Sequence, residues 1–142
     1  MLFAGEAVGE IGGRSRAGAV AARLGLACGA AAIAGCTWIA LAKVPVTNEG
    51  DVLVDRNGMT LYTFDRDPEF KSVCNAQCAA SWPPLIAAAG ARPAGDYALI
   101  ARDDGRRQWT YAGKPLYLRS EDRSPGDRTG HGVDNLWRVA RP

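Results

Sequence analysis

The chain has 142 residues, 47% of them hydrophobic and 23% charged, with a formal net charge of +2. So even a balance gives no electrostatic reason to expect nucleic acid or an anionic surface as partner. One histidine and four cysteines limit the metal-ligating sets on offer.

The first 42 residues differ in kind from the rest. Arg14, Arg16 and Arg23 form a basic leader, and Leu24 to Ala42 then runs for nineteen residues without a charge. That order is the pattern of an export signal. Ala40-Leu41-Ala42 is a small-x-small site for signal peptidase, with cleavage before Lys43. Ile33-Ala34-Gly35-Cys36 offers a lipoprotein alternative in which Cys36 is acylated. Left uncut, nineteen helical residues span about 28 Å, just enough for a bilayer core of about 30 Å. The run is mostly Ala and Gly, and no polar tether follows Cys36, which favours cleavage over acylation or a permanent anchor. In every case the arginines stay inside and residues 43–142 end outside the cytoplasm. The membrane is a partner only through this segment.

The exported part holds 14 Lys and Arg against 13 Asp and Glu. Its size is that of one small domain, which gains from a cross-link in an oxidising compartment. Asp51 to Asp55 reads as a strand, and Asn57-Gly58 is a hairpin signal because both residues tolerate positive φ. The return strand Met59 to Phe64 is apolar on both faces, as in a strand covered on both sides. After a polar loop at 65–72, Cys74, Cys78 and Trp82 recur at helical spacing. Ser72 is available as N-cap and Pro83-Pro84 as a stop. A Gly, Ala and Pro-rich connection runs from Ala87 to Gly95. The second half reads as a meander with strands at 97–102, 107–111, 114–118 and 136–140. Its last two strands are separated by a long polar loop.

A repeat lies within this pattern. Gly58, Leu61, Tyr62, Asp67 and Trp82 meet Gly113, Leu116, Tyr117, Asp122 and Trp137 at one offset of 55. Such regularity indicates duplication, with units near 52–82 and 107–137. The expected fold is mostly β: a small sheet or sandwich of two pseudo-repeated hairpin units with one short helix. The equivalent tyrosines should be related by an approximate two-fold.

The spacing of Tyr62, Phe64 and Asp67, with CNAQCAASWPPL, GKPLYL, PGDRTGHGV and LWRVARP, resembles the bacterial secreted repeats described as lipoproteins with a Yx(FWY)xxD motif. The likeness covers about residues 50–142 and implies export, a mostly β domain and duplication, with no biochemical activity attached. The second copy departs from it, because Arg119 stands where the aromatic belongs, between Tyr117 and Asp122.

The chemistry of individual residues is sparse. Cys74 and Cys78 have three residues between them, one too many for a thioredoxin-type dithiol or for haem attachment. A structural zinc lacks four ligands. A Cu(I) site from Cys74, Cys78 and either His131 or Met59 is the metal alternative. The reading preferred is a disulfide, which requires the turn to tighten or to begin irregularly at Cys74, because helical i and i+4 Cβ atoms are too far apart. His131 reads as a solvated loop residue, since no spacing joins it to Ser124, Asp127 or Asp134 as a triad. Asp65, Asp67 and Glu69 lack the glycine and the final acid of an EF-hand loop. Asp67 and Asp122 should accept N–H bonds that close the turn after each repeated strand.

Tyr62, Tyr117, Trp82, Trp109 and Trp137 read as core, with a shared aromatic ligand face as the rival. Tyr62→Ala should then cost more than Tyr117→Ala, because Arg119 puts a charge beside Tyr117. No cofactor is implied. The functional expectation is an exported, non-catalytic binding or structural module with an envelope partner or ligand. The alternative is a periplasmic thiol-redox or copper-handling protein using Cys74 and Cys78.

Overall fold

The computed structural model describes residues 43–142. The export segment 1–42, with Cys36 and the small-x-small site, lies outside the described residues. Among the described residues, seven short strands form three small antiparallel sheets, with one short α-helix and a single 3-10 turn at Val133–Asn135. Strand β1 (Val46–Glu49) pairs with β2 (Val52–Asp55). Strand β3 (Tyr62–Phe64) pairs with β7 (Trp137–Val139), setting Tyr62 opposite Val139 and Phe64 opposite Trp137. Strands β4 (Tyr97–Ala101), β5 (Arg107–Tyr111) and β6 (Lys114–Pro115) make the third sheet.

The first hairpin differs from the sequence expectation in an informative way. Strand β1 has no counterpart in the sequence expectation, because its residues VTNE carry no alternating apolar signal. The return from β2 begins as expected, with the Asp55 N–H donating to the Met59 carbonyl at 2.9 Å. Gly58 alone at this turn takes positive φ, at 77°. Asn57 is instead held by Asp55, whose Oδ1 accepts the Asn57 N–H at 2.8 Å and the Met59 N–H at 3.0 Å. The left-handed pair belongs to the second hairpin, at Ala112 and Gly113, with φ of 45° and 79°.

Past Leu61 the chain leaves its own hairpin. The reason is burial on both faces. Leu61 packs with Leu53, Leu85, Trp109 and Leu116 in one core, whereas Tyr62 packs with Trp82, Tyr117 and Trp137 in another. No single partner strand covers both.

Two closed rings of backbone hydrogen bonds tie the segments together. In one, the Leu61 N–H donates to Leu53, Leu53 to Ala140, and Ala140 back to Leu61, over 2.8–2.9 Å. In the other, Leu116 donates to Trp109, Trp109 to Leu85, and Leu85 back to Leu116, over 2.9–3.0 Å. Each ring takes two segments from one repeat and the third from the end of the other. Between the rings, Tyr62 and Tyr117 exchange N–H···O bonds of 2.8 and 2.9 Å, and this exchange marks the pseudo-two-fold axis.

The helix α1 (Gln77–Ser81) covers only part of the stretch from Cys74 to Trp82 whose spacing suggests it. Its N-cap is Ala76, with φ 47° and no side-chain cap bond, not Ser72. Ser72 is buried and its hydroxyl is used elsewhere. Cys74 therefore lies ahead of the helix, and the irregular start brings its Cα within 5.2 Å of that of Cys78, to which it is disulfide-bonded. Closing so small a loop contributes about 2 kcal/mol through the unfolded state.

Candidate functional site

The residues of the repeated motif converge on the axis. Tyr62 and Tyr117 are both fully buried. The Tyr62 hydroxyl donates to Asp122 Oδ2 at 2.7 Å, and the Tyr117 hydroxyl donates to Asp67 Oδ2 at 2.6 Å. Each tyrosine thus bonds the aspartate of the other repeat. Two charge-assisted bonds, one buried and one partly buried, hold the halves in one register.

The aspartates do not close the turns with their carboxylates, as the sequence suggested. Backbone bonds from Asp67 to Phe64 and from Asp122 to Arg119 do that. Instead, Asp67 Oδ1 accepts the Val73 N–H at 2.8 Å, and Asp122 Oδ1 accepts the Thr129 N–H at 3.2 Å. Each carboxylate therefore anchors the loop that follows its repeat as well as the opposite tyrosine.

Beside these pairs runs a column of planar groups. Phe64 stacks on Trp137 with centroids 4.4 Å apart, and Trp137 stacks on Trp82 at 3.7 Å with planes only 4° apart. The Arg119 guanidinium lies over Trp82, 4.8 Å from the ring centroid. Tyr62 meets Trp82 edge-on, and Tyr117 meets Trp137 in the same way. Arg119 and Phe64 are thus the two ends of one symmetric stack. In the second repeat a guanidinium takes the stacking place that Phe64 holds in the first, since it caps an indole face through cation–π attraction.

Two further residues complete the site, and neither carries a clear signal in the sequence. Arg102 is buried, and its guanidinium donates to five groups: Asp104, Ser72, Gln108, the Cys74 carbonyl and Asn75. Ser72 in turn donates to the Tyr117 hydroxyl, with oxygens 2.7 Å apart. The disulfide loop, the buried arginine and the Tyr117–Asp67 pair form one continuous network. A charged residue at the end of a strand gives no hint of this in sequence. Gly130 is the other. A Cβ there would lie 2.7 Å from the Tyr62 ring and 2.8 Å from Trp82. Its N–H donates to the Tyr62 hydroxyl at 3.3 Å, in the role that Ser72 plays for Tyr117. The Thr-Gly-His-Gly segment needs its first glycine for this close approach.

The remaining candidates lie apart. His131 is exposed, and its Nδ1 accepts the Val139 N–H at 3.3 Å. Asp127 accepts the Arg123 and Ser124 N–H groups, which lower its pKa. Among the described residues no group of three or more His, Cys, Asp or Glu gathers as a metal site.

Burial first, and then the hydrogen bond to the facing carboxylate, raises the pKa of both motif tyrosines above the usual 10.0. Burial also raises the Asp67 carboxyl, against the opposing pull of Tyr117 and the Val73 N–H. For the tyrosines the sign is clear. Below pH of about 10 both states keep the phenolic protons, and the stabilisation is fully present. Above it the unfolded chain releases protons that the fold retains, so stability falls as pH rises toward the folded values. Alkaline titration should show tyrosinate absorbance from Tyr62 and Tyr117 only as near-UV circular dichroism is lost. Ionisation of all four tyrosines with the dichroism intact would contradict the buried pairs.

Crossed tyrosine–aspartate pairs, reciprocal backbone rings and a shared indole stack define a duplicated, interlocked β domain. The model of a family described as a secreted repeat of unknown function matches residues 43–86 and 98–141. The chain belongs to that family. The two matches are displaced by 55 residues, the offset of the repeat, and the family's description as secreted makes this an extracytoplasmic domain. No curated protein and no solved structure matches the chain.

Proposed function

We propose that the exported domain is a non-catalytic binding or structural module of the cell envelope, in which the repeated motif serves as the lock between halves. One observation carries this reading. The groups of the motif best suited to proton transfer, two buried tyrosine hydroxyls with the buried Asp122 and the half-buried Asp67, are bonded to one another. A general acid or base needs a free proton-transfer partner at a surface that substrate can reach. Here the chemistry of the motif is consumed by folding, which leaves surface recognition as the work of the domain.

A double-mutant cycle tests the lock. Tyr62→Phe and Asp122→Asn, singly and together, should show a coupling energy of about 1–3 kcal/mol in urea melts, as for contacting residues in one buried bond. Strict additivity would remove the lock from the account.

The envelope location has its own test. The small-x-small site and the missing polar tether favour a mature chain beginning at Lys43, soluble in the periplasm. N-terminal sequencing and intact mass of protein from periplasmic and membrane fractions should report Lys43 as the first residue. An acylated Cys36 or an intact leader would make the protein a membrane-tethered one instead.

A further inference from the structure

The helix α1 lacks what ordinarily holds a helix. It has five residues, none of them buried, with no side-chain cap at its N-terminus and no acidic residue in its first turn. A helix so short does not persist on its own hydrogen bonds. Its C-terminal end is tied to the domain. The Trp82 N–H donates to the Cys78 carbonyl at 2.9 Å, Trp82 is buried in the indole stack, and the Ser81 carbonyl accepts the Ser120 N–H at 3.0 Å. Ahead of the helix, Arg102 holds the Cys74 carbonyl and the Asn75 side chain. The Cys74–Cys78 bond closes the gap between these two anchors.

The backbone in that gap is strained. The Cys78 N–H donates to the Asn75 carbonyl at 3.0 Å and closes a turn over residues 75–78. Ala76, the first of its two central residues, has φ 47° and ψ −118°. Those are the angles of a type II′ turn, which takes glycine at that position because a Cβ crowds the backbone there. In the corresponding loop of the second repeat, positive φ falls on Gly132, Asp134 and Asn135, residue types that accept it. Ala76 has no polar side chain to offset the cost with a local bond. The disulfide brackets the one strained alanine of this loop.

The two cysteines differ in access. Cys74 is fully buried, whereas Cys78 is partly exposed and lines a shallow groove along the edges of Phe64, Trp82 and Trp137. The guanidinium of Arg102, bonded to the Cys74 carbonyl at 2.9 Å, places a positive charge beside the buried cysteine and favours its thiolate as leaving group. We propose that the Cys74–Cys78 bond is a thiol-exchange site that takes a dithiol at Cys78 and, once reduced, releases α1. One thiolate of the dithiol attacks Cys78 Sγ, the bond to Cys74 breaks, and Cys74 leaves as a thiolate that takes up a proton. The second thiolate of the reductant attacks its own partner sulfur in the mixed disulfide and frees Cys78, which is protonated in turn. Two electrons and two protons pass to the protein, and the dithiol becomes a disulfide. With the bracket open, Ala76 relaxes to negative φ and α1 unwinds. Gln77, Cys78 and Ser81 then leave the wall of the groove.

The test equilibrates the purified protein in dithiothreitol buffers of graded redox ratio and counts free thiols by alkylation and mass. Reduction is expected with near-UV circular dichroism retained. Hydrogen exchange of the reduced protein should show protection lost at Cys78, Ala80 and Trp82 and kept at Val73, whose N–H is held by Asp67. Ala76→Gly should shift the equilibrium toward the disulfide by about fivefold, roughly 20 mV for a two-electron couple. The strain it relieves belongs to the oxidised form, and the extra freedom of glycine in the released loop opposes this by less. Brief exposure to glutathione with acid quenching should trap the mixed disulfide on Cys78. Reduction that occurs only as the dichroism collapses overturns the proposal. So does unchanged protection in α1, an Ala76→Gly variant that titrates with the wild type, or a trap on Cys74.

Discussion

Tyr117→Ala should remove about 5 kcal/mol of stability, most of what a domain of this size has to lose. The ring is fully buried and lies edge-on to Trp137, 5.2 Å between centroids. Truncating a core aromatic costs about 3–5 kcal/mol in lost packing and residual cavity. The Asp67 carboxylate and the Ser72 hydroxyl then lose their buried partner, which adds about 1–3 kcal/mol. Tyr62→Ala should cost about 4 kcal/mol, because Tyr62 is equally buried but its second partner is the longer bond from Gly130. This order reverses the sequence expectation, which made Tyr117 the cheaper loss on account of Arg119. The arginine does not weaken the site. It lies on Trp82 and closes the column. Urea melts of both variants beside Tyr117→Phe measure the ring and hydroxyl parts separately. Two alanine variants that melt like wild type would remove the tyrosines from the core.

Arg102→Met should cost about 4 kcal/mol, through the groups it abandons more than through any lost attraction. The guanidinium side chain has no solvent exposure, whereas its ion-pair partner Asp104 is 36% exposed. That pair by itself is therefore a modest contributor. Gln108, Ser72 and the Cys74 carbonyl are a different matter, each accepting a bond of 2.6–2.9 Å from the guanidinium. Left unpaired in the interior, these acceptors carry the penalty. Arg102→Lys should recover little of it, because a single ammonium cannot serve five acceptors set in the geometry of a planar fork. Hydrogen exchange should locate the damage in residues 72–78, where Ser72, Cys74 and Asn75 lose their anchor. Loss of protection spread evenly over the domain would contradict that assignment.

Local signals are legible in the amino-acid sequence itself. Short runs of strand-forming residues bounded by turn residues mark β2, β4, β5 and β7 within a residue or two, because such runs and their turns are local consequences of side-chain order. The offset of 55 announced duplication, and the cysteine spacing in an exported chain pointed to the Cys74–Cys78 bond. Tertiary structure decided where each strand ended up. Residues 59–64 read as one hairpin arm, yet Leu61 and Tyr62 bury in different cores and the arm crosses to β7. It also decided that Tyr62 bonds Asp122 and Tyr117 bonds Asp67. Sequence puts each tyrosine five residues from its own aspartate and cannot signal that the bonds run between repeats. The same holds for Arg102 and Gly130, whose partners include groups 27 and 68 residues away. A repeat in sequence fixes which side chains are equivalent. Which half each one bonds follows from the pseudo-two-fold packing, because only an exchange across the axis buries both faces of both return strands.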